Sequence, residues 1–289
     1  MEPSILFNSE MMLGEGPVWD HRTGKMYCVD ILGNSVHYFN PDGSGHGHYD
    51  VGKKVGFVIP TEDNRLACGV EDGFGLYDPK TGLFEYTAKP EPDDIGNRFN
   101  DGKCDAMGRI WGGTMNMDES KVTGNLYCIS RSTVLHQLSG IGISNGLDWS
   151  PDTKTFYYID SPTCEVKAFD FDLESGTIYN PRVIIKIDES LGFPDGMTVD
   201  REGMLWIAHW GGYCVRRWNP FTADILMEVP VPAPQPTSCC FGGEDLSTLF
   251  ITSARKGLDA ETLKRYPSSG SVFVLESDIG GMPGHMYRP

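Results

Sequence analysis

The segment Gly203-Met-Leu-Trp-Ile-Ala-His209 is a turn followed by an apolar run, and the chain contains six versions of it. Their starts are separated by 40, 44, 46, 49 and 44 residues. Each version is short, begins at turn residues and is rich in β-branched or aromatic side chains, which is typical of a β-strand. The other five are Gly24–Asp30, Asn64–Val70, Gly108–Thr114, Lys154–Asp160 and Ser247–Ser253.

Each of these strands is one half of a hairpin, because a second strand-like run ending in an acidic or Gly-rich turn precedes it. A further turn pattern, an aromatic residue followed by Asn or Asp and usually Pro, recurs about ten residues later and marks an outer hairpin. It is found at Phe39–Gly43, Tyr77–Gly82, Phe171–Gly176 and Trp218–Phe221. Two hairpins in a period of about 45 residues make one four-stranded propeller blade.

The repeat therefore predicts an all-β protein, a six-bladed β-propeller with four antiparallel strands per blade. Six units fill residues 1–289 as a single domain. The strands around residues 3–8 and 271–276 are left over at the two ends, and we expect them to share a blade and close the ring.

Composition limits the classes of function. The net charge of −16 and the pI near 4.7 argue against a nucleic-acid partner, whose phosphates need a basic surface. The N-terminal residues lack the basic and apolar regions of a signal peptide, and no window approaches 18 uncharged apolar residues, so no membrane partner is expected. Eight cysteines without a Cys-x-x-Cys pair indicate reduced thiols and a cytoplasmic protein. We expect a monomer or a weak oligomer.

Equivalent positions in different blades lie on one circle around the axis of a closed ring. The position eight or nine residues before each strand motif lies nearest the channel. Four of the six positions carry hydrogen-bonding side chains, which are two carboxylates and two carboxamides. Read in blade order, the positions are Glu15, Val55 or Gly56, Asn100, Asn145, Asp195, and Ser238 or Cys239.

Convergence of these groups on an axis predicts a bound cation or substrate, since the buried charge would otherwise be uncompensated. Oxygen ligands suit Ca²⁺, Mg²⁺ and Mn²⁺, with Zn²⁺ and Fe²⁺ left open. Without a His or Cys cluster, a structural zinc site is disfavoured.

Over nearly its full length the sequence resembles the senescence marker protein/gluconolactonase/regucalcin family. The motifs that carry the resemblance occur in the same order along the chain. They are Leu13–Pro17, Asn97–Lys103, Gly108-Arg109 with Gly113–Met115, Ser144–Trp149, Pro194–Met197, Thr237–Gly243 and Ala254–Leu258.

The resemblance implies a metal-dependent lactonase. It implies that Glu15, Asn145 and Asp195 bind one divalent metal ion and that the substrate is a sugar lactone, hydrolysed to the aldonic acid. The metal would polarise the lactone carbonyl, and Asp195 would be the catalytic residue that activates water.

The resemblance also implies the residues that hold the substrate. These are Arg98, Asn100 and an acid after the Gly-Thr-Met run, Asp118. Two alternative functions stay open: a calcium-binding or regulatory propeller without catalysis, and a hydrolase of other esters or phosphotriesters.

Other residues give weaker signals. Gly142–Gly146 matches the Gly-x-Ser-x-Gly nucleophile pattern, but strand and turn residues follow it where that motif needs a helix, so Ser144 is not expected to act as a nucleophile. His209 and Trp210 end a strand near the channel mouth and either contact substrate or pack between blades. Arg255 and Lys256 are expected at the surface.

Overall fold

The structure is a computed structural model that describes residues 2–93, 96–131 and 133–289. Its strands form six antiparallel sheets of four strands each. Each sheet contributes one innermost strand to a ring around a central axis, and every innermost strand contacts the next one around the ring. The predicted all-β six-bladed propeller is confirmed.

Blades one to five each contain four consecutive strands, with the innermost first. Blade one has β2 (Gly14–Asp20), β3 (Lys25–Asp30), β4 (Ser35–Phe39) and β5 (Gly47–Asp50), and blade two has β6 (Val55–Pro60), β7 (Leu66–Val70), β8 (Gly73–Asp78) and β9 (Leu83–Ala88). Blade three has β10 (Asn97–Cys104), β11 (Ile110–Asn116), β12 (Gly124–Ser130) and β13 (Thr133–Ile141). Blade four has β14 (Ser144–Trp149), β15 (Thr155–Asp160), β16 (Glu165–Asp172) and β17 (Thr177–Lys186), and blade five has β18 (Phe193–Val199), β19 (Leu205–Trp210), β20 (Cys214–Trp218) and β21 (Ile225–Pro230).

Blade six joins the two ends of the chain, as predicted. It has the order β22 (Pro236–Gly242), β23 (Thr248–Ser253), β24 (Val272–Glu276) and finally β1 (Ser4–Phe7). Strand β1 pairs antiparallel with β24, with Ser4 opposite Val274. The α-helix Ala260–Arg265 and two short 3₁₀ turns, Ser161–Thr163 and Glu189–Leu191, are the helical elements of the described residues.

The core lies between blades, where side chains of adjacent sheets interdigitate. Trp206 of blade five, for example, packs at a right angle on Phe241 of blade six, with ring centroids 5.6 Å apart, and Trp206 is fully buried. All eight cysteines are buried free thiols, which agrees with the expectation of reduced cysteines. No helix in the described ranges is long and apolar enough to cross a membrane.

Candidate active site

A cavity of about 540 Å³ opens on the axis, at the end where the innermost strands begin. Five of the residues predicted for the site line it together, although they come from four different blades. They are 5 to 7% exposed: Glu15, Arg98, Asn100, Asn145 and Asp195. The spacing of the sequence repeat thus identified side chains that meet in space.

Irregular strand pairing aims these side chains at the cavity. The pairing of innermost and second strands shifts between Glu15 and Val18, between Asn145 and Leu147, and between Pro194 and Met197. A β-bulge of this kind re-aims the side chain beside it. Since the same irregularity recurs in the other three blades, the bulge is part of the repeat.

The glycines after Asn145 and Asp195 permit close approach of neighbouring blades. A Cβ atom on Gly146 would lie 2.7 Å from the carbonyl oxygen of Asp195, and one on Gly196 would lie 2.1 Å from Ser238 Oγ. Both distances are far shorter than real Cβ contacts, so only glycine fits. The Asn-Gly and Asp-Gly pairs therefore belong to strands, and they do not mark turns.

Two aspartates, the half-buried Asp160 and the buried Asp30, hold the segments that lead into the site. Asp160 Oδ1 accepts hydrogen bonds from the amides of Gly142 (3.1 Å) and Ile143 (2.9 Å), just before Asn145. At the equivalent place in blade one, Asp30 accepts from the amide of Leu13 at 2.9 Å, just before Glu15. Charge-assisted bonds of this type are stronger than neutral ones, so they fix the backbone from which the ligand side chain projects.

A chain of hydrogen bonds links the polar side chains of blades three, four and five. Arg98 Nη1 donates to Asn100 Oδ1 at 2.7 Å, and Asn100 Nδ2 donates to Asn145 Oδ1 at 2.9 Å. Asn145 Nδ2 then donates to Ser161 Oγ at 2.7 Å, and Ser161 donates to the carbonyl of Pro194. Because a carboxamide oxygen has two lone pairs, Asn145 Oδ1 keeps one of them for a ligand.

The two carboxylates of the site are held in an environment that disfavours their charge. Burial, followed by repulsion from Asp101, raises the pKa of Glu15 to about 8. Burial, and then repulsion from Glu15 and Asp101, raises the pKa of Asp195 well above its ordinary value. Burial also lowers the pKa of Arg98 to about 10. The protein alone therefore leaves the negative charge at this site poorly compensated.

These residues fit a divalent cation. Two buried carboxylates and a carboxamide oxygen form an all-oxygen donor set of the kind that hard cations prefer. In the part of the chain that the structure describes, no group of three or more His, Cys, Asp or Glu side chains is arranged to hold a metal, so the set depends on Asn145 for its third oxygen. A cation among Glu15, Asn145 and Asp195 would supply the missing positive charge.

The mouth of the cavity is crossed by an ion pair that the sequence did not predict. Glu119 follows the second strand of blade three, Lys256 follows the second strand of blade six, and both line the cavity. Blades three and six are opposite each other in a ring of six, so the Glu119–Lys256 ion pair spans the opening. The Lys256 side chain is 37% exposed, as expected of a surface residue, and it also lines the cavity.

Asp118 is not brought to this cavity. It is exposed in the turn after β11, and the next residue, Glu119, contributes the acidic side chain to the cavity wall. The chain leaves β11 at Asn116, and the amide of Glu119 donates to the carbonyl of Asn116. The direction of that tight turn, which the sequence alone did not show, decides which of the two acids faces inward.

Aromatic side chains of blade five form another part of the cavity wall. Trp210 lines the cavity beside Phe193, its cross-strand partner. His209 is fully buried and stacks on Trp218 with ring centroids 6.0 Å apart, so of the two candidates only Trp210 faces the cavity. Ser144 is also fully buried, and its hydroxyl accepts a hydrogen bond from Tyr158 at 2.7 Å.

Comparison with known proteins places the chain in a family. Residues 13–255 match the family described as SMP-30/Gluconolactonase/LRE-like region. The chain belongs to this family. This is the family that the sequence motifs resemble, so the resemblance is confirmed.

Individual SMP-30/gluconolactonase relatives align over almost the whole chain. Putative sugar lactone lactonase YvrE of Bacillus subtilis is 35% identical over 282 residues, covering 97% of each chain. Regucalcin of Gallus gallus is 38% identical over 283 residues, covering 95% of this chain and 94% of its own. A crystal structure of a calcium-binding protein, regucalcin, from Agrobacterium tumefaciens superposes with a TM-score of 0.95 at 29% identity, covering 100% of this chain and 98% of the other.

Proposed function

We propose that this protein hydrolyses a sugar lactone to the corresponding aldonic acid, with one divalent cation bound by Glu15, Asn145 and Asp195. One observation carries the proposal. Two buried carboxylates with raised pKa values share an axial cavity with the hydrogen-bond donor Arg98. A site that only stored a cation would not need this guanidinium group beside it.

A bound divalent cation would polarise the lactone carbonyl as a Lewis acid. Asp195 is the carboxylate that accepts a proton from the attacking water, since it lies in the cavity that would hold the lactone. Arg98 uses Nη1 for Phe99 O and Asn100 Oδ1 in the hydrogen bonds of the described residues, which leaves other guanidinium N–H groups for the substrate. Those groups donate to sugar hydroxyls or to the oxygen on which negative charge develops.

The walls of the cavity select a ring-shaped substrate. Trp210 and Phe193 offer aromatic faces against which the C–H groups of a lactone ring pack, while Arg98, Asn100 and Glu119 face its hydroxyls. We assign the acidic contact to Glu119, since Asp118 lies outside the cavity. The two relatives named as a putative sugar lactone lactonase and a calcium-binding protein, regucalcin, support this pairing of a lactone with a divalent cation.

The direct test is proton release from a panel of five- and six-membered aldonolactones. Metal-stripped protein is compared with protein given Ca²⁺, Mg²⁺, Mn²⁺, Zn²⁺ or Fe²⁺, and spontaneous hydrolysis is subtracted. We expect metal-dependent acceleration on at least one lactone. Cation binding without acceleration of any lactone would favour the calcium-binding propeller, and metal-dependent cleavage of simple esters or phosphotriesters alone would favour the broader hydrolase.

A further inference from the structure

A second layer of side chains lies on the axis directly beneath the candidate site. It faces a cavity of about 340 Å³, which the C-terminal residues 282–285 close from the other side. Lys103 and Asp148 line this lower cavity, with side chains that are 32% and 18% exposed to it. Lys103 comes three residues after Asn100, and Asp148 comes three residues after Asn145.

The Lys103 ammonium group joins three blades at one point. Nζ donates to Asp148 Oδ2 of blade four at 2.7 Å and to the backbone carbonyl of Met197 of blade five at 2.9 Å, while Lys103 itself belongs to blade three. Asp148 Oδ2 also accepts from the amide of Val199 at 3.0 Å, which ties blade four to blade five a second time. We call Lys103, Asp148 and the Met197 carbonyl the axial clamp.

The clamp matters because no β-ladder sets the distance between neighbouring innermost strands. Strands β10, β14 and β18 belong to three different sheets, and their backbone ladders run outward within each blade. The spacing of Asn100, Asn145 and Asp195 across blades therefore depends on side-chain contacts. Met197 is two residues after Asp195, so each part of the clamp lies two or three residues along its strand from Asn100, Asn145 or Asp195.

We propose that Lys103 is a positioning residue that holds blades three, four and five at the spacing with which Asn145 and Asp195 bind a cation together. The inference rests on the proposed metal site but does not depend on the identity of the lactone. It assigns a role to a lysine and an aspartate that touch neither the cation nor the substrate.

The direction in which cation affinity changes when Lys103 is removed separates positioning from simple electrostatics. Lys103 is a positive charge near a cation site, so its removal should tighten cation binding if only long-range charge mattered. If the clamp sets the spacing of the ligands, removal should weaken cation binding. Outer partners that orient metal ligands contribute roughly 10- to 100-fold to metal affinity.

The experiment is calorimetric titration of metal-stripped wild type, Lys103→Met and Asp148→Asn with Mn²⁺ and Ca²⁺, without lactone. We expect the dissociation constant to rise about tenfold in each variant. The double variant should be no weaker than the worse single one, because both changes remove the same clamp. Unchanged or tighter binding in Lys103→Met would overturn the inference, and Lys103→Gln, which also removes the positive charge, gives the answer should Lys103→Met fail to fold.

Arg22→Met is the matched control. Arg22 also joins two blades, since Nη2 bonds Asp20 of blade one and the carbonyl of Thr61, just after the innermost strand β6 of blade two, and its side chain is 30% exposed. Strand β6 carries no proposed ligand, and Asp20 lies at the end of β2, five residues away from Glu15. We expect cation affinity close to wild type in Arg22→Met, and a loss equal to that of Lys103→Met would show general destabilisation instead of positioning.

A second measurement covers the case in which the wild-type protein binds neither cation. That result would remove the proposed metal site, and the clamp is then judged on the metal-free protein by hydrogen exchange. Amides in 144–149 and 193–199 should exchange faster in Lys103→Met than in Arg22→Met. Equal exchange in the two variants would show that the clamp does not order these strands.

Discussion

At the scale of single residues, Asn145 has a side chain that is held at both ends. Both ends of its carboxamide are engaged, one by Asn100 and the other by Ser161. Alanine at this position would remove a proposed metal ligand and leave the donor of Asn100 with one acceptor fewer. The residue therefore tests the ligand assignment and the hydrogen-bond chain together.

We predict that Asn145→Ala weakens Mn²⁺ or Ca²⁺ binding on the order of a hundredfold and lowers the metal-dependent rate at fixed metal concentration. Calorimetry and the proton-release assay measure the two effects, and circular dichroism checks the fold. Full retention of metal affinity would contradict the ligand assignment.

The neighbouring residue, Ser144, tests whether the reaction uses a serine nucleophile. Ser144→Ala should retain the metal-dependent rate, because the hydroxyl is buried on Tyr158 and no nucleophile is needed. It should lose about 1–3 kcal/mol of unfolding free energy, since the Tyr158 hydroxyl is left without its acceptor. Loss of all activity in a folded Ser144→Ala protein would instead support the nucleophile-elbow interpretation.

The raised pKa values of Glu15 and Asp195 predict how the metal-free protein responds to pH. A carboxyl whose pKa is raised on folding, such as Glu15 at about 8, binds more protons in the folded state. Its contribution to the free energy of unfolding is fully present below the pKa of the unfolded state and is lost as the pH rises through about 8. Burial lowers the pKa of His37 to about 4, so His37 destabilises the folded state as the pH falls. This opposite effect is confined to pH values below about 7.

We therefore expect the melting temperature of the chelator-treated protein to fall between pH 7 and pH 8.5, and added cation to reduce the fall. Thermal unfolding followed by circular dichroism measures both. Glu15→Gln is the control, because it removes one of the two titrating carboxyls and should reduce the dependence. A melting temperature that rises over this interval in the wild type would contradict the prediction.

At the scale of elements, the innermost strand combines a bulge and a glycine. The bulge turns the ligand side chain toward the axis, and the glycine lets the next innermost strand approach at backbone distance. The two features depend on each other, because a side chain at the glycine position would push apart the strands that the bulge brings together.

Gly146→Ala should separate blades four and five and weaken both stability and cation binding. The new Cβ would lie 2.7 Å from the backbone oxygen of Asp195, which cannot move without moving that residue. Gly284→Ala is the control, since its Cβ would meet only Trp19 O at 3.9 Å. Urea unfolding and metal titration compare the two, and equal midpoints would show that the close approach is not needed.

At the scale of the whole molecule, the ring is closed by the two ends of the chain. Strand β1 completes blade six beside β24, and Phe7 packs on Phe39 of blade one with ring centroids 4.7 Å apart. The first and last strands thus join the first blade to the sixth. A propeller without this contact would expose an open edge in blade six.

Deletion of residues 2–8 should lower the free energy of unfolding by at least a few kcal/mol, because it removes a hydrogen-bonded strand and buried aromatic contacts. Urea unfolding measures the loss. Leu83→Ala, on the exposed outermost strand of blade two, is the control and should change stability by less than about 0.5 kcal/mol. A truncated protein as stable as Leu83→Ala would show that the terminal strand does not close the ring.

The sequence by itself determined the repeat, and with it the six blades, the closing strands and the phase at which Glu15, Asn145 and Asp195 face the axis. Local strand and turn propensities recur with a fixed period, and a closed ring converts one period into one circle of side chains. Asn100 follows from the same repeat phase, whereas Arg98 was implied only by the resemblance of Asn97–Lys103 to the family.

Only the tertiary structure decided the contacts made across the ring. The ion pair at the mouth joins Glu119 of blade three, which takes the place predicted for Asp118, to Lys256 of blade six. The clamp joins Lys103 to Asp148 and Met197 of two other blades. No local pattern encodes those distances, because they depend on how six sheets pack side by side and on the direction of one tight turn. The circle of axial side chains is thus a property of the repeat, whereas the walls and supports of the site are properties of the packed ring.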